Sequence, residues 1–514
     1  MKRILILIVA ILMTSLWSSS GTFDSSDTIN RYRVARQLVT EGQIIVSSYG
    51  DAESFPMFKD KDTPYSSPYI AVWGPGQSLF FLPFVAVSHL AVKDIPTDPR
   101  QKERFLIFLV SVSVFFVSLA LNFWLCMKLA LILNMQPLIA YMLAVVANFG
   151  TIYWSMLKEG QEEVQLSIFV IAALCSFLNW KKFGDNKYIC FSAISVASAL
   201  LFRLTALPFL LGILGLYGAE IFYGSKSQLS QAKSLRSVFL AFGVSIFCVL
   251  ITIGSYNIFK TGNILRSGNP LSEFSGDWLI GIFEPILGLS RGVVWTNLWI
   301  LPCLAITIYA WKYLTRNLKQ SLLFTLFLFT SSILIYCKYN DWAGGSSYGS
   351  RFQVHLLPLI AVTLGAATVL FFREHFPTML RVTKYRLATL IASVLLLLQI
   401  PAISLHMNLE IFQSYRLANG VSKTPRIENV NHVQMRYANF FSKLINDKVV
   451  NISDIDLSHL AGNDWERATR WNYLPWLSEG RLSLTAVLWL RGLWVIIVIA
   501  SIWSWLWVFN KLPI

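Results

Sequence analysis

Acidic and cationic side chains recur at a few places in this 514-residue chain, each where apolar sequence stops. The first is Asp24-Ser25-Ser26-Asp27, ahead of a helix-like stretch from Thr28 to Gly42. A carboxylate at Asp27 has two uses: it can cap that helix by accepting backbone N–H bonds, or it can act as a general base. The two are compatible, because a cap fixes the side chain in place. The second place is Trp154-Ser155-Met156-Leu157-Lys158-Glu159-Gly160-Gln161-Glu162-Glu163, which holds more charge than a solvated turn needs. Arg203 follows in Leu201-Phe202-Arg203-Leu204-Thr205, with apolar residues on both sides. An unpaired charge there is costly, so Arg203 calls for an anion, either one of those glutamates or a ligand phosphate. Arg491, between Leu490 and Gly492, poses the same question.

Two later segments mix glycine, aromatic residues and arginine: Gly288-Leu289-Ser290-Arg291-Gly292, and Asn340 through Tyr348 to Arg351. Glycine lets a backbone turn tightly and approach a ligand. Arginine offers a planar fork that fits phosphate oxygens. Both segments read equally as loops that close a surface. Neither is a GxxxxGK[ST] phosphate loop. The six histidines form no HExxH or paired spacing that would suggest zinc. The six cysteines all lie inside apolar runs without a CxxC pair, against a disulfide framework or a thiolate metal cluster.

The elements that must position these groups are membrane helices. Apolar residues make up 55% of the chain and charged residues 14%, where soluble domains carry about 25% charged residues. That balance excludes a soluble enzyme. Twelve runs are long enough to span: Ile4–Trp17, Phe105–Met127, Pro137–Trp154, Val164–Trp180, Tyr188–Phe202, Leu204–Tyr223, Val238–Tyr256, Val293–Trp311, Ser321–Cys337, Phe352–Phe372, Leu387–Leu405 and Leu482–Phe509. A shorter run, Gln77–Val92, begins after Gly74-Pro75-Gly76. If it does not span, one side of the membrane collects 17 of the 43 basic residues against three of the 28 acids, all in short segments. Nearly all of the net charge of +15 then sits on that side. This is the cytoplasmic signature, and it argues against nucleic acid as the partner of the basic residues. Gln77–Val92 is therefore placed at the outer interface.

The expected fold is an all-α polytopic membrane protein of about twelve transmembrane helices (11–13), with an interfacial helix in the first outer loop. Residues 1–405 form the transmembrane module with an outer loop at 18–104, residues 406–481 an outer region, and residues 482–514 a final helix. Both termini are expected in the cytoplasm of a bacterial inner membrane. The first run also fits a cleaved signal peptide, although the Asp27 chemistry favours its retention as an anchor. Arg426–Asp447 reads as an amphipathic helix capping the last outer loop. Cytoplasmic loops are too short to build a site, so function should face outward.

The motif series resembles the polytopic GT-C glycosyltransferases, the group of the protein O-mannosyltransferases and the bacterial aminoarabinose transferases of lipid A. Ser26-Asp27 through Arg36, Leu38 and Gly42 follow that group's first-loop pattern, and Trp73-Gly74-Pro75-Gly76 matches its WxxxHGPG-like element without the His. Lys158 and Glu163 keep an Arg–Glu spacing of five. Arg203 matches a Leu-x-Arg motif. Tyr256-Asn257, Ser290-Arg291-Gly292 and Trp342 through Arg351 then follow in order. Lys158 for Arg, Ser350 for Pro and Gly288-Leu289 for Pro-Gly are departures. The likeness covers about the first three quarters of the chain.

The resemblance implies a polyprenyl-phosphate-linked sugar donor, a lipid, glycan or protein acceptor, and inverting transfer at the outer leaflet without a metal or other cofactor. It makes Asp27 the catalytic base and places Asp24, Lys158, Glu162, Glu163, Arg203, Arg291, Tyr348 and Arg351 in substrate binding. A transporter or flippase is the alternative, but it would place ionisable residues near the midplane. An O-antigen-type polymerase or ligase would lack the first-loop acid.

Overall fold

The computed structural model describes residues 2–23, 25–46, 69–70, 74–223, 228–261, 264, 274–289, 291–339, 350–375, 384–406, 409–410, 413, 432–450, 468–478 and 482–511. The chain is an all-helical, multi-pass membrane protein. In chain order the helices used below are α1 (Lys2–Ser18), α2 (Ser26–Glu41), α3 (Gly76–Val92), α4 (Pro99–Ile132), α5 (Pro137–Phe149) and α6 (Tyr153–Lys158). Then come α7 (Glu162–Phe183), α8 (Lys187–Phe202), α9 (Leu207–Tyr223), α10 (Gln228–Thr261), α11 (Trp278–Leu287) and α12 (Ile300–Ala310). The series ends with α13 (Arg316–Tyr336), α14 (Leu357–His375), α15 (Lys384–Ser404), α16 (His432–Asn446) and α17 (Leu484–Asn510). Among the described residues the one extended element is a two-residue antiparallel bridge, Ile45–Val46 with Tyr69–Ile70.

Each of the thirteen apolar runs read from the sequence forms helix over most of its length, and seven helices among the described residues are long and apolar enough to cross a bilayer. Their ends follow local chemistry. Asp98 Oδ2 accepts from the backbone N–H groups of Arg100 (3.0 Å) and Gln101 (3.4 Å), with Pro99 at the first helical position of α4. Gly184 closes α7 in the left-handed region, at φ 71°.

Helix α7 is the hub. Its apolar stretch is 89% buried, against 11% for α17 at the periphery. Lipid tails are as apolar as leucine, so helices in a membrane associate through packing and interhelical hydrogen bonds instead of water exclusion. One such set joins α4, α5 and α7: Asn122 Nδ2 donates to Asn148 Oδ1 at 2.9 Å, and Ser167 Oγ donates to Asn122 Oδ1 at 3.2 Å. Each bond of this kind contributes roughly 0.6–2 kcal/mol. Helix α1 is built into the bundle against α17, through Thr14–Ser501 (2.9 Å) and Trp494 Nε1 donating to the Trp17 carbonyl (2.7 Å).

Three runs are interrupted. Pro137–Trp154 breaks after Phe149, Val293–Trp311 breaks at Asn297–Trp299, and Phe352–Phe372 breaks at His355–Leu356. Two of the breaks satisfy each other, as the Ile152 N–H donates to Asn297 Oδ1 at 3.3 Å. Opened backbone inside a bundle needs such partners.

The 22 residues of α7 give it a length of about 33 Å, close to the hydrocarbon thickness of a bilayer. Its two ends carry different chemistry. At one end Lys181 meets Glu220 of α9 at 3.2 Å, and Glu220 meets Arg316 of α13 at 3.1 Å. At the other end stand Glu162 and Glu163. Helix α3 packs between α2 and the first half of α4, with Phe81 and Val85 against Phe23, Tyr32, Val110 and Val114.

Candidate active site

The helix α2 begins at Ser26 with Ser25 in the N-cap position, so Asp27 lies inside the first turn and is not the cap. Its carboxylate still faces the positive end of the helix. Four residues on, Arg31 occupies the same face of α2. Both side chains meet the start of α7. Arg31 Nη2 lies 2.6 Å from Glu162 Oε2. Arg203, in extended backbone between α8 and the next turn, pairs through Nε with Glu162 and through Nη2 with Glu163 at 3.0 Å. Arg351, opening a short helical turn before α14, bonds Glu163 Oε1 through Nε at 2.8 Å and Asp27 Oδ2 through Nη1 at 3.0 Å. Residues 27, 31, 162, 163, 203 and 351 thus make one cluster of three carboxylates and three guanidiniums, with no net formal charge.

Burial grades this cluster. The side chains of Glu162, Glu163 and Arg31 are 0–1% exposed, Arg351 is 8%, Arg203 is 13% and Asp27 is 27% exposed. The two glutamates and Arg31 are framework, whereas Asp27 stands at the open edge.

Gln77 ties the framework down. It accepts from Arg31 Nη1 at 2.7 Å and donates to the Gly160 carbonyl at 2.6 Å. Gly76 explains the Gly-Pro-Gly element, because a Cβ there would stand 2.6 Å from the backbone of Leu201 and Phe202. Only glycine lets α3 start against the last turn of α8, immediately ahead of Arg203.

On the side of Arg203 away from the glutamates lies a cavity of about 30 Å³, lined by Thr205, Ser332, Tyr336, Phe352 and His355 among others. That is room for about two waters. Arg203 Nη1 donates to Tyr336 Oη at 3.3 Å, and the guanidinium lies 5.1 Å above the Phe352 ring. Arg203 is therefore gripped on one edge by carboxylates while its other edge faces hydroxyl groups.

Burial pushes the Asp27 carboxyl up, but the positive fields of Arg351, Arg31 and Arg203 outweigh it and hold the group below the usual carboxylate range. A depressed folded-state value means stabilisation that is present above the unfolded value, about 3.9, and lost as pH falls through the folded one. The stability gap between wild type and Asp27→Asn is therefore expected to stay constant from neutral pH down to about pH 5 and to shrink below about pH 4. Thermal unfolding in detergent across that range checks it.

Of the sequence candidates, Asp27, Glu162, Glu163, Arg203 and Arg351 come together. Lys158 turns another way: its ammonium donates to the carbonyls of Ile403 (2.7 Å) and Asn472 and lies 4.9 Å above the Tyr473 ring. Arg291, fully buried, donates through Nε to His432 Nδ1 at 3.3 Å. Asp24, Tyr348, Trp73, Ser290 and Trp342 lie outside the described residues. Arg491 lies over the Trp476 ring at 5.2 Å. Arg31 and Gln77 were not singled out from the sequence, although the i, i+4 relation of Arg31 to Asp27 was a readable signal.

No family model matches the chain, and no curated protein does. Among solved structures it is similar to the apo oligosaccharyltransferase of Archaeoglobus fulgidus, at 12% identity over 77% of this chain and 54% of that one, with a TM-score of 0.47. The chain thus spans about half the length of that protein. It is also similar to ArnT from Cupriavidus metallidurans. The apo form gives 12% identity over 85% and 67% of the two chains at a TM-score of 0.45, and the form bound to undecaprenyl phosphate gives 12% over 99% and 76%, again at 0.45. Likeness at this level leaves the chemistry to be argued from the site.

Proposed function

We propose that this chain is a membrane glycosyltransferase that moves a sugar from a polyprenyl-phosphate carrier to an acceptor hydroxyl on the extracytoplasmic side, with inversion. The acceptor oxygen attacks the anomeric carbon from the face opposite the phosphate. A new carbon–oxygen bond forms, the bond to the phosphate oxygen breaks, and the carrier leaves with that electron pair. Asp27 takes the acceptor proton. A phosphodiester with one negative charge becomes a monophosphate with two, so fixed cations that face the leaving oxygen lower the barrier.

Arg203 and Arg351 supply those cations. Arg203 is pre-oriented by Glu162 and Glu163, with the hydroxyls of Thr205 and Tyr336 beside its free-facing edge. Incoming phosphate draws Arg351 from Asp27, which leaves the carboxylate more basic at the moment it is needed. Asp24 and Tyr348 take part in substrate binding in this proposal. Lys158 and Arg291 hold the outer segments in place, through the carbonyls of Ile403 and Asn472 and through His432. The reaction so written calls for no metal.

The observation that carries the reading is the burial gradient: of the three clustered carboxylates only Asp27 is open enough to meet an acceptor. Membranes containing the protein are expected to release label from radiolabelled polyprenyl-phosphate sugars, and those containing Arg351→Met are not. If wild type turns over no donor of this class, the transferase reading fails.

Sidedness has its own check. With the exposed thiols Cys190 and Cys248 replaced by serine, Thr97→Cys is expected to react with an impermeant maleimide on intact cells. Asn186→Cys should react only after permeabilisation. The reverse pattern would put the site on the cytoplasmic face.

A further inference from the structure

Helix α16 is amphipathic in the opposite sense to a helix that lies on a protein in water. Its protein-facing side is polar, with His432, Arg436 and Asn439 at most 1% exposed. Arg436 donates to the carbonyls of Ala402 (3.4 Å), Leu405 (3.1 Å) and His406 (3.0 Å) and pairs with Glu410. Those carbonyls belong to the C-terminal end of α15, where a cation meets the negative pole of the helix. Asn439 Nδ2 donates to Gln413 Oε1 at 2.7 Å.

Past Gln434, in the first turn, the outward side is apolar. Phe441 is 53% exposed, Leu444 62% and Ile445 77%. Single exposed apolar residues are ordinary, but three on one arc opposite a buried polar face are not. Tyr437 shares that arc at 100° per residue, and its hydroxyl donates to the Leu398 carbonyl at 2.6 Å. Around Leu398 the helix α15 exposes Leu390, Ile391, Val394 and Leu397. The apolar arc of α16 therefore continues the lipid-facing flank of α15. Just past the helix stands the exposed Lys448, a cation suited to lipid headgroups, while Lys443 pairs with Asp447 at 2.9 Å.

We propose that α16 is an interfacial helix, seated on the bilayer with Phe441, Leu444 and Ile445 among the lipids and its polar side fastened to the bundle. The bond from Arg291 to His432 joins this lipid-seated helix to a fully buried arginine just ahead of Gly292. The inference stands independently of the transferase reading.

The test places nitroxides, one at a time, through Phe441→Cys, Ile445→Cys, Ser442→Cys and Asn446→Cys, in the full chain lacking Cys190 and Cys248. The protein is reconstituted in phosphatidylethanolamine–phosphatidylglycerol vesicles. The ratio of oxygen to nickel-chelate accessibility is expected to be several-fold higher at positions 441 and 445 than at 442 and 446. Equal ratios at the four positions would overturn the proposal. So would spin–spin broadening at 445 that disappears on dilution with unlabelled protein, because a second copy would then cover the face.

Discussion

Asp27→Asn is expected to lower the turnover number for sugar transfer by about 10²–10⁴-fold, the usual contribution of a positioned general base. The KM for the donor should change little. Asparagine has the same shape and keeps an oxygen to accept the bond from Arg351, now 3.0 Å away, so the pocket should survive the change. It cannot take a proton. Initial rates with saturating donor, compared at equal protein in membranes, read the effect. A variant that transfers sugar at the wild-type rate would remove Asp27 from the mechanism, whatever the fate of the transferase reading.

Arg203→Met is expected to cost roughly 3–5 kcal/mol of stability, because removing one partner of a buried ion pair leaves an uncompensated charge. Arg203 serves Glu162 and Glu163 together, and these side chains are at most 1% exposed. Arg203→Lys keeps the charge but loses the fork that spans two carboxylates, so an intermediate loss is expected. Adding Glu162→Gln to Arg203→Met should restore part of the stability, because the stranded charge is then gone. Unfolding midpoints in detergent measure all three variants. If Arg203→Met melts with the wild type, the six charges do not act as one framework.

The sequence made the helices legible because crossing a bilayer demands long apolar runs, and hydropathy sums find them. It did not show the breaks after Phe149 and at Asn297–Trp299, which depend on tertiary bonds such as Ile152 to Asn297. Within the site, Arg203 was legible as a charge that apolar neighbours could not leave unpaired, Glu162 and Glu163 as more charge than a turn at a span entrance needs, and Arg351 as the planar fork ending a glycine-rich segment. Lys158 turns away from Glu163 for a local reason that the resemblance did not carry. Gly160 adopts φ +62° between α6 and α7 and turns the chain. The lysine then points to the carbonyls of Ile403 and Asn472. Arg31 and Gln77 were hidden because their partners come from 46 to 131 residues away; only the helical phase of Arg31 with Asp27 hinted at it. Asp27 itself was legible as an acid beside a helix start, yet its partner Arg351 stands 324 residues on.

The most direct test of the shared pocket is an experimental map of the protein bound to polyprenyl phosphate. Phosphate density is expected within about 3 Å of both the Arg203 and the Arg351 guanidinium nitrogens, with Arg351 drawn off Asp27 and the Asp27 carboxylate left facing the opening. Phosphate bound instead at the far end of α7, beside Lys181 and Arg316, would contradict it, as would a bound carrier that leaves Arg351 still clasped to Asp27.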